Sequence, residues 1–557
     1  MLRVRLSALL LACAACAGLT ACASPRTPPP GPKAPMTLTP LPSASAQSLP
    51  RLVHENGRHA LFVDGAPFLV LGAQCGNSSA WPATLPKVWP AVEFLHANTL
   101  EAPVYWEQFE PEPGRFDTSL VDLLLEQADA HRVKLILLWF ATWKNGSSHY
   151  MPLWMKREPD KYPRMLRADG TRVDSPSPHA RATLEADKRA FQALMRHLKE
   201  VDPFHTVIMV QVQNEPGTWG SVRDFSPAAE ALFQAPVPGE LLKALGKDER
   251  AGNNWKAAFG GDADEFFHAW SVARFIDEVA AAGKAEYPLP LYVNAALRDP
   301  LTNPPAAHYE SGGPTDNVLS LWKAAAPSID LLAPDIYMPD GARHKKVLEL
   351  YSRPDNALFV PEVGSQPGYA RYFFAALDRG AIGWAPFGVD YVATASTPLG
   401  APKHNQETLA QFALNYRAVA PAMRQVARAL FEGRLRAVVE EKGEPTQTLD
   451  FGRYEVVVTY GVSSFGPGTD PKGNPEPVGR ALVVKLADYE YLVAGLFCRV
   501  DFRAKDARAQ REYVRVEEGG YENDTFRPVR TWNGDQTDWG LNFSSAPQLI
   551  RVSLGTF

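Results

Sequence analysis

Between residues 51 and 420, short runs of apolar, often β-branched residues alternate with longer stretches whose apolar positions recur every three to four residues. The first pattern is that of buried strands and the second that of amphipathic helices. The runs predict strands at Phe68–Gln74, Thr99–Val104, Val133–Phe140, Val207–Gln213, Leu291–Asn294, Ile329–Pro334, Ala357–Val360 and Ile382–Ala385, the first preceded by a small hairpin around Asp64-Gly65. Helical patterns lie between them, as at Leu120–His131, Glu185–Glu200, Glu265–Ala282 and Ala370–Arg379. Such alternation predicts a parallel sheet covered by helices, fold class α/β. Eight βα units in ~370 residues suit a (β/α)8 TIM barrel with sizeable loops. A doubly wound open sheet also alternates, but it typically carries a glycine-rich phosphate turn after its first strand. Here that strand runs into Gln74-Cys75-Gly76-Asn77-Ser78, which lacks the pattern.

Beyond residue 420 the texture changes. Runs at Tyr454–Tyr460, Ala481–Leu486, Tyr491–Phe502, Glu512–Glu517 and Leu549–Leu554, with Gly, Pro, Asn and Asp between them, predict a smaller all-β sandwich. No catalytic constellation falls there, and Pro467–Pro477 reads as an exposed loop. Roughly 500 residues are too many for one ordinary core, so two domains are expected, 51–420 and 421–557.

The first residues read as a leader. Arg3 and Arg5 precede an apolar run from Leu6 to Gly18 that is too short to span a membrane. Leu19-Thr20-Ala21-Cys22 resembles the lipobox of bacterial lipoproteins. That resemblance implies a signal peptide over 1–21 and lipid on Cys22, and Ala23 after the cysteine weakly favours the outer membrane. The alternative is an ordinary signal peptide with a chance cysteine. Residues 22–50, rich in Pro, Ser, Thr and Ala, cannot bury enough apolar surface to fold and read as a tether.

Composition narrows the functions. A net charge of −5 lacks the electrostatic footprint of a nucleic-acid binder. Of 5 cysteines, Cys13 and Cys16 leave with the leader, and Cys75 and Cys498 stand too far apart in sequence to argue a disulfide. No Cys/His cluster has metal-ligand spacing, so neither metal nor cofactor is expected.

The chemistry lies at strand ends, because a TIM barrel builds its site at the C-terminal face. The fourth strand runs into Gln213-Asn214-Glu215-Pro216, and the seventh into Pro361-Glu362-Val363. A lone Glu there is more simply a helix N-terminal carboxylate. Two at equivalent levels, one of them beside Asn214, match what glycoside cleavage requires: one acid to protonate the leaving oxygen and one carboxylate to attack. Burial raises the acid so that it holds its proton near neutrality.

Asn214-Glu215-Pro216 with a Glu after strand seven resembles the clan of retaining glycosidases on (β/α)8 barrels. The stretch Val104-Tyr105-Trp106-Glu107-Gln108-Phe109-Glu110-Pro111-Glu112-Pro113-Gly114-Arg115-Phe116-Asp117 is similar to the strand-two region of bacterial β-galactosidases of glycoside hydrolase family 35 and the related family 42. Phe62-Val63-Asp64-Gly65-Ala66-Pro67-Phe68 looks like that group's approach to the barrel. The resemblance covers roughly residues 52 to 400. It implies that Glu215 is the acid/base, Glu362 the nucleophile and Asn214 the partner of the sugar 2-hydroxyl, with carboxyl groups ~5–5.5 Å apart. There are departures. Phe109 stands where members often have histidine. Trp139-Phe140-Ala141-Thr142-Trp143 lacks the acidic galactose grip, and Trp384-Ala385-Pro386-Phe387-Gly388 replaces a glycine-rich tail.

Supporting residues follow from position. Tyr337 is placed to hydrogen-bond the nucleophile, or else to pack on the rim. Trp106, Trp143, Trp219 and Trp384 sit at strand ends, where at least one is expected to stack on a sugar face. Asn77, Glu110 and Asn294 are hydroxyl partners by the same logic, with Glu110 equally a loop brace. His149 and His308 read as solvated. The expected function is an exo-acting β-galactosidase-like hydrolase of oligosaccharides such as plant cell-wall fragments. The alternatives are another sugar in the same clan, or an inactive glycan-binding lipoprotein.

Overall fold

The computed structural model describes residues 48–248, 253–392, 405–461 and 471–557. The leader, Cys22, nearly all of the tether and the first part of the Pro467–Pro477 loop lie outside the described residues.

A three-stranded antiparallel sheet (Arg51–Glu55, Arg58–Val63, Ala66–Phe68) leads into the barrel. Eight parallel strands then close on themselves: β1 (Val70–Gln74), β2 (Thr99–Tyr105), β3 (Lys134–Lys144), β4 (Val207–Asn214), β5 (Leu291–Ala296), β6 (Leu331–Ile336), β7 (Phe359–Val363) and β8 (Gly383–Pro386). β8 pairs with β1 through Gly383–Val70 and Trp384–Leu71. This is the expected (β/α)8 architecture. The strands sit within a few residues of the apolar runs. β3 extends furthest beyond its run because Ala141, Thr142, Trp143 and Lys144 are all buried.

Among the covering helices are α1 (Ser119–His131), α2 (Arg181–Val201), α3 (Ala263–Glu286) and α4 (Tyr372–Asp378). α2 and α3 lie in close contact. Gly283 permits this, because a Cβ there would overlap the Phe191 ring. Two further helices, α5 (Gln406–Val419) and α6 (Met423–Glu432), lead to the β region.

That region is a sandwich. A six-stranded sheet contains β9 (Leu435–Val439), β12 (Arg480–Ala487), β13 (Glu490–Leu496), β15 (Arg511–Glu522), β16 (Thr525–Thr531) and β18 (Gln548–Thr556), in the order β9-β12-β13-β18-β15-β16. A four-stranded sheet contains β10 (Thr446–Asp450), β11 (Tyr454–Tyr460), β14 (Cys498–Ala504) and β17 (Leu541–Phe543). The single run expected at Tyr491–Phe502 is two strands. Phe497 adopts a left-handed conformation (φ 53°), and the chain crosses there from one sheet to the other.

The six-stranded sheet is apolar on both faces. Val483, Tyr491 and Val493 point into the sandwich core. Their neighbours Leu482, Val484, Leu492 and Ala494 join the cluster that fills the barrel and its helices. Period-2 alternation thus gives β12 and β13 two buried faces, whereas β16 at the sheet edge is exposed along most of its length. Arg480 lies in the seam. Its Nε donates to Asn415 Oδ1 (2.7 Å) and its Nη2 to the Gln411 carbonyl (3.1 Å), both on α5. Gln47–Phe557 accordingly forms one compact unit. The turn after β9 contributes Glu441, which pairs with Lys345 (3.1 Å) and Arg371 (3.5 Å) in the segments after β6 and β7. Cys75 and Cys498 are both free and buried.

Candidate active site

β4 ends in an unusual backbone. Gln213 (φ 66°) and Glu215 (φ 42°) are both left-handed, although neither is glycine. Such residues cost about 1–3 kcal/mol each and persist where the surroundings hold them. Gln213 is held from outside the barrel: its Nε2 donates to Asp187 Oδ2 on α2 (2.6 Å), and its Oε1 accepts from Trp143 N (3.0 Å). Glu215 is held from β5, where Asn294 Oδ1 accepts its backbone N–H (2.8 Å). The kink breaks the regular alternation and aims Asn214 inward at Glu362.

Glu362 lies on β7, buried, with three donors on its carboxylate. Gln74 Nε2 and Asn214 Nδ2 both reach Oε1 at 3.2 Å, and the Tyr337 hydroxyl reaches Oε2 at 2.7 Å. Charge-assisted bonds of this kind favour an anion. Opposite stands Glu215. Burial first, and then the charge of Glu362, push its carboxyl up to about 7, with Lys144 opposing. One carboxyl is thus set to hold a proton near neutrality beside one whose two oxygens accept three hydrogen bonds.

A third carboxyl was not picked out from sequence. Asp335 on β6 is the register partner of Glu362, and oxygens of Glu215, Asp335 and Glu362 lie within 4.8 Å of one another. Burial, then Glu362, then Glu215 drive Asp335 well above the usual carboxylate range. Asn294 Nδ2 donates to its Oδ2 at 2.6 Å. The available signal was its place two residues before Tyr337, on the same strand face. Gln74 was missed at the end of β1 for want of the same argument. Among the described residues this trio is the acidic group close enough to share a cation, and oxygen donors alone suit a hard divalent ion. The spacing suits shared protons equally well.

Glu310, in the loop after β5, is also buried and pushed well up, by burial first and Glu215 next. Its Oε2 accepts from Trp219 Nε1 at 3.0 Å, which fixes an indole whose residue is 54% exposed. Glycines make room for it. A Cβ on Gly146 would overlap Glu310 Oε1, and one on Gly217 would stand 2.5 Å from the Ser311 carbonyl. Lys144, buried at the end of β3, donates to Asn145. Trp81, also missed, is exposed and stacks on Tyr105 (5.4 Å, 15°), which stacks on Tyr150.

Several expected sugar contacts are corrected. Trp106, Trp143 and Trp384 are fully buried, packed respectively on Trp139, on Phe275, and on Phe373 with Phe412. Those partners belong to the strands and the helix layer, so the rings turn away from the mouth, Trp143 and Trp384 through strand alternation and Trp106 because it opens a short helix after β2. Glu110 braces a loop: its oxygens accept from Trp106 Nε1 (2.8 Å) and Gly114 N (2.7 Å), leaving no oxygen facing the mouth. Asn294 spends both ends of its amide on Glu215 and Asp335, so it orients the carboxyls. Asn77 is half-buried with its Oδ1 unpartnered, and Asn214 Oδ1 is likewise free. His149 and His308 are exposed.

Residues 92–271, which run from before β2 to beyond Glu215, match the model of glycoside hydrolase family 42, described as beta-galactosidase. The match thus falls on the part of the barrel that carries Glu215. Residues 412–544 match a domain of unknown function, DUF5597, which takes in most of α5 and nearly all of the sandwich. No curated protein matches the chain. Among solved structures the chain is similar to a β-galactosidase from Bacillus circulans sp. alkalophilus, with TM-score 0.50 and 13% identity over 65% of this chain and 57% of that one. A β-galactosidase from the psychrophilic Marinomonas ef1 (TM-score 0.48, 12% identity) matches over 65% of this chain and 61% of its own. An exo-β-1,4-mannosidase from Opitutaceae bacterium strain TAV5 (TM-score 0.42, 16% identity) matches over 67% and 63%. The chain thus spans less than two thirds of the length of these structures, and the first likeness concerns the fold.

Proposed function

We propose that the chain is a retaining β-glycosidase that removes terminal galactose from oligosaccharides. The observation that carries this is the approach of Glu215 and Glu362 oxygens to within 4.8 Å. Retaining enzymes hold their carboxyl groups ~5–5.5 Å apart, whereas inverting enzymes need ~6.5–9.5 Å to admit a water. Glu362 attacks the anomeric carbon while Glu215 protonates the departing oxygen. Esterification removes the Glu362 charge that had raised Glu215, so Glu215 then takes the proton from the water that releases the sugar. Asn214 Oδ1, buried and unpartnered, offers an acceptor for the 2-hydroxyl. Trp219 offers a ring face on the leaving-group side, four residues beyond the acid.

Lipid on Cys22 would hold the enzyme at the outer membrane, facing the periplasm, where glycan fragments such as those of plant cell walls pass. A different sugar is favoured by one observation: β3 ends in Lys144 and offers no carboxylate to grip galactose.

The test is a panel of aryl β-glycosides. E362Q should lose at least ~10³-fold in kcat on whichever glycoside is cleaved. In kcat/KM, which reads the first step, E215Q should lose ~10²–10⁴-fold with a phenol leaving group and far less with dinitrophenol, which needs no acid. Unchanged hydrolysis by E362Q overturns the assignment of the nucleophile. An unmodified protein that cleaves no member of the panel points to the glycan-binding alternative.

A further inference from the structure

We infer that Asp335 is a positioning acid for Glu215: it stays protonated through the cycle, donates a hydrogen bond to a Glu215 oxygen and, with Asn294, holds that carboxyl in place while it alternates between acid and base. This rests on the glycosidase reading and adds a residue to it.

The argument starts from Asn294. Its Oδ1 accepts the Glu215 backbone N–H, so its amide nitrogen must face the other way, and it donates to Asp335 Oδ2. Oδ2 is therefore the accepting oxygen of Asp335. Oδ1 is buried and has no partner outside the carboxyl cluster. Oxygens of both neighbouring carboxyls lie within 4.8 Å, and the side-chain contact of Asp335 is with Glu215. Glu362 is already served, with two donors on Oε1 and one on Oε2. Glu215 receives no side-chain donor from the amides and the phenol that surround Glu362, so the hydrogen bond goes there. Three carboxylates this close, two of them buried and Glu215 half-buried, cannot all be charged, since each anion disfavours the next. Glu362 must be the anion in order to attack, and Glu215 must ionise once per turnover. Asp335 is the group left to stay neutral, in keeping with the direction in which burial and its two neighbours push it.

In the first step Glu215 passes its proton to the leaving oxygen and becomes a carboxylate, which the Asp335 O–H then supports. In the second step Glu215 takes a proton from water. The Asp335 proton is not transferred in either step.

D335N reproduces the donor and acceptor pattern, because its amide oxygen accepts from Asn294 and its amide N–H faces Glu215. D335A reproduces neither. The experiment measures kcat, KM and the pH profile of the full chain, unmodified and as D335N and D335A, on an aryl galactoside with a phenol leaving group and on its dinitrophenyl counterpart. D335A should lose about tenfold or more in kcat on the phenol substrate and little in glycosylation of the enzyme on the other, at unchanged KM. D335N should recover most of that loss, with the alkaline limb of kcat/KM within about 0.3 pH unit of the unmodified enzyme. The proposal is overturned if the D335N limb falls by about a full unit or more, since an ionised Asp335 would then have been raising Glu215. It is overturned too if D335A matches the unmodified enzyme, or if its loss is equal on both substrates, as for a general structural defect. If the unmodified chain cleaves neither galactoside, the same pair is made with the sugar it does cleave; if it cleaves no aryl glycoside of the panel, the glycosidase reading falls first and this one with it.

Discussion

At the residue scale, the proposed acid/base Glu215 is expected to set the pH dependence. Burial and the Glu362 anion raise its carboxyl to about 7, and only the protonated form can act as acid. Activity is therefore present below that value and is lost as pH rises through it. A pH profile of kcat/KM, which reports the free enzyme, should show an alkaline limb near pH 7. The limb should be present on a phenol substrate, should weaken on a dinitrophenyl substrate, which needs no acid, and should be absent from the residual activity of E215Q. Glu215, Glu362, Asn214 and Tyr337 were legible in the sequence because each follows a recognisable apolar run, and strand ends in a barrel share one mouth. Trp106, Trp143 and Trp384 were not, because position along a strand end does not say which way a ring turns. Asp335 and Glu310 were missed for a related reason. Their importance lies in distances across strands and loops that no local pattern carries.

At the element scale, the segment after β4 works only because it meets the segment after β5. Thr218 and Ser311 form an isolated antiparallel bridge that joins them. Gly217 lets this happen, since a Cβ there would stand 2.5 Å from the Ser311 carbonyl and 3.2 Å from Glu310 Cγ. G217A should therefore force the two segments apart, costing about 1–3 kcal/mol and lowering kcat/KM, with melting temperature and steady-state kinetics as the measurements. Loss of stability without loss of activity would show that the Glu310–Trp219 side of the mouth does not matter for turnover. Element type was readable from periodicity, and boundaries were readable to a few residues. The left-handed kinks at Gln213, Glu215 and Phe497 were not, because Gln, Glu and Phe do not advertise positive φ as Gly or Asn do. The kink at Phe497 is why one expected strand became two.

At the scale of the whole molecule, barrel and sandwich share a hydrophobic cluster. Leu482, Val484, Leu492, Ala494 and Leu549 of the six-stranded sheet belong to the same cluster as the barrel strands and helices. Arg480 crosses the seam, buried and lowered to about 9 by that burial, with its guanidinium bonded to α5. A core continuous across two regions unfolds as one, since neither face survives exposure alone. Calorimetry should show a single transition, and R480M should shift that transition as a whole; two resolved peaks would show independent domains. The change of texture near residue 420 was plain in the sequence. The seam was not, because an apolar strand residue looks the same whether it faces its own sandwich or another region.

The indole of Trp219 stands exposed with its N–H fixed on the buried carboxyl of Glu310, which feels the charge of Glu215. Of the chain's 13 tryptophans, Trp81, Trp219 and Trp539 are the exposed ones among the described residues. The emission of Trp219 therefore responds to whatever settles on the mouth and to the ionisation of Glu310. Occupancy can be followed by light, without turnover and without a label, even for a glycan the protein binds and does not cut.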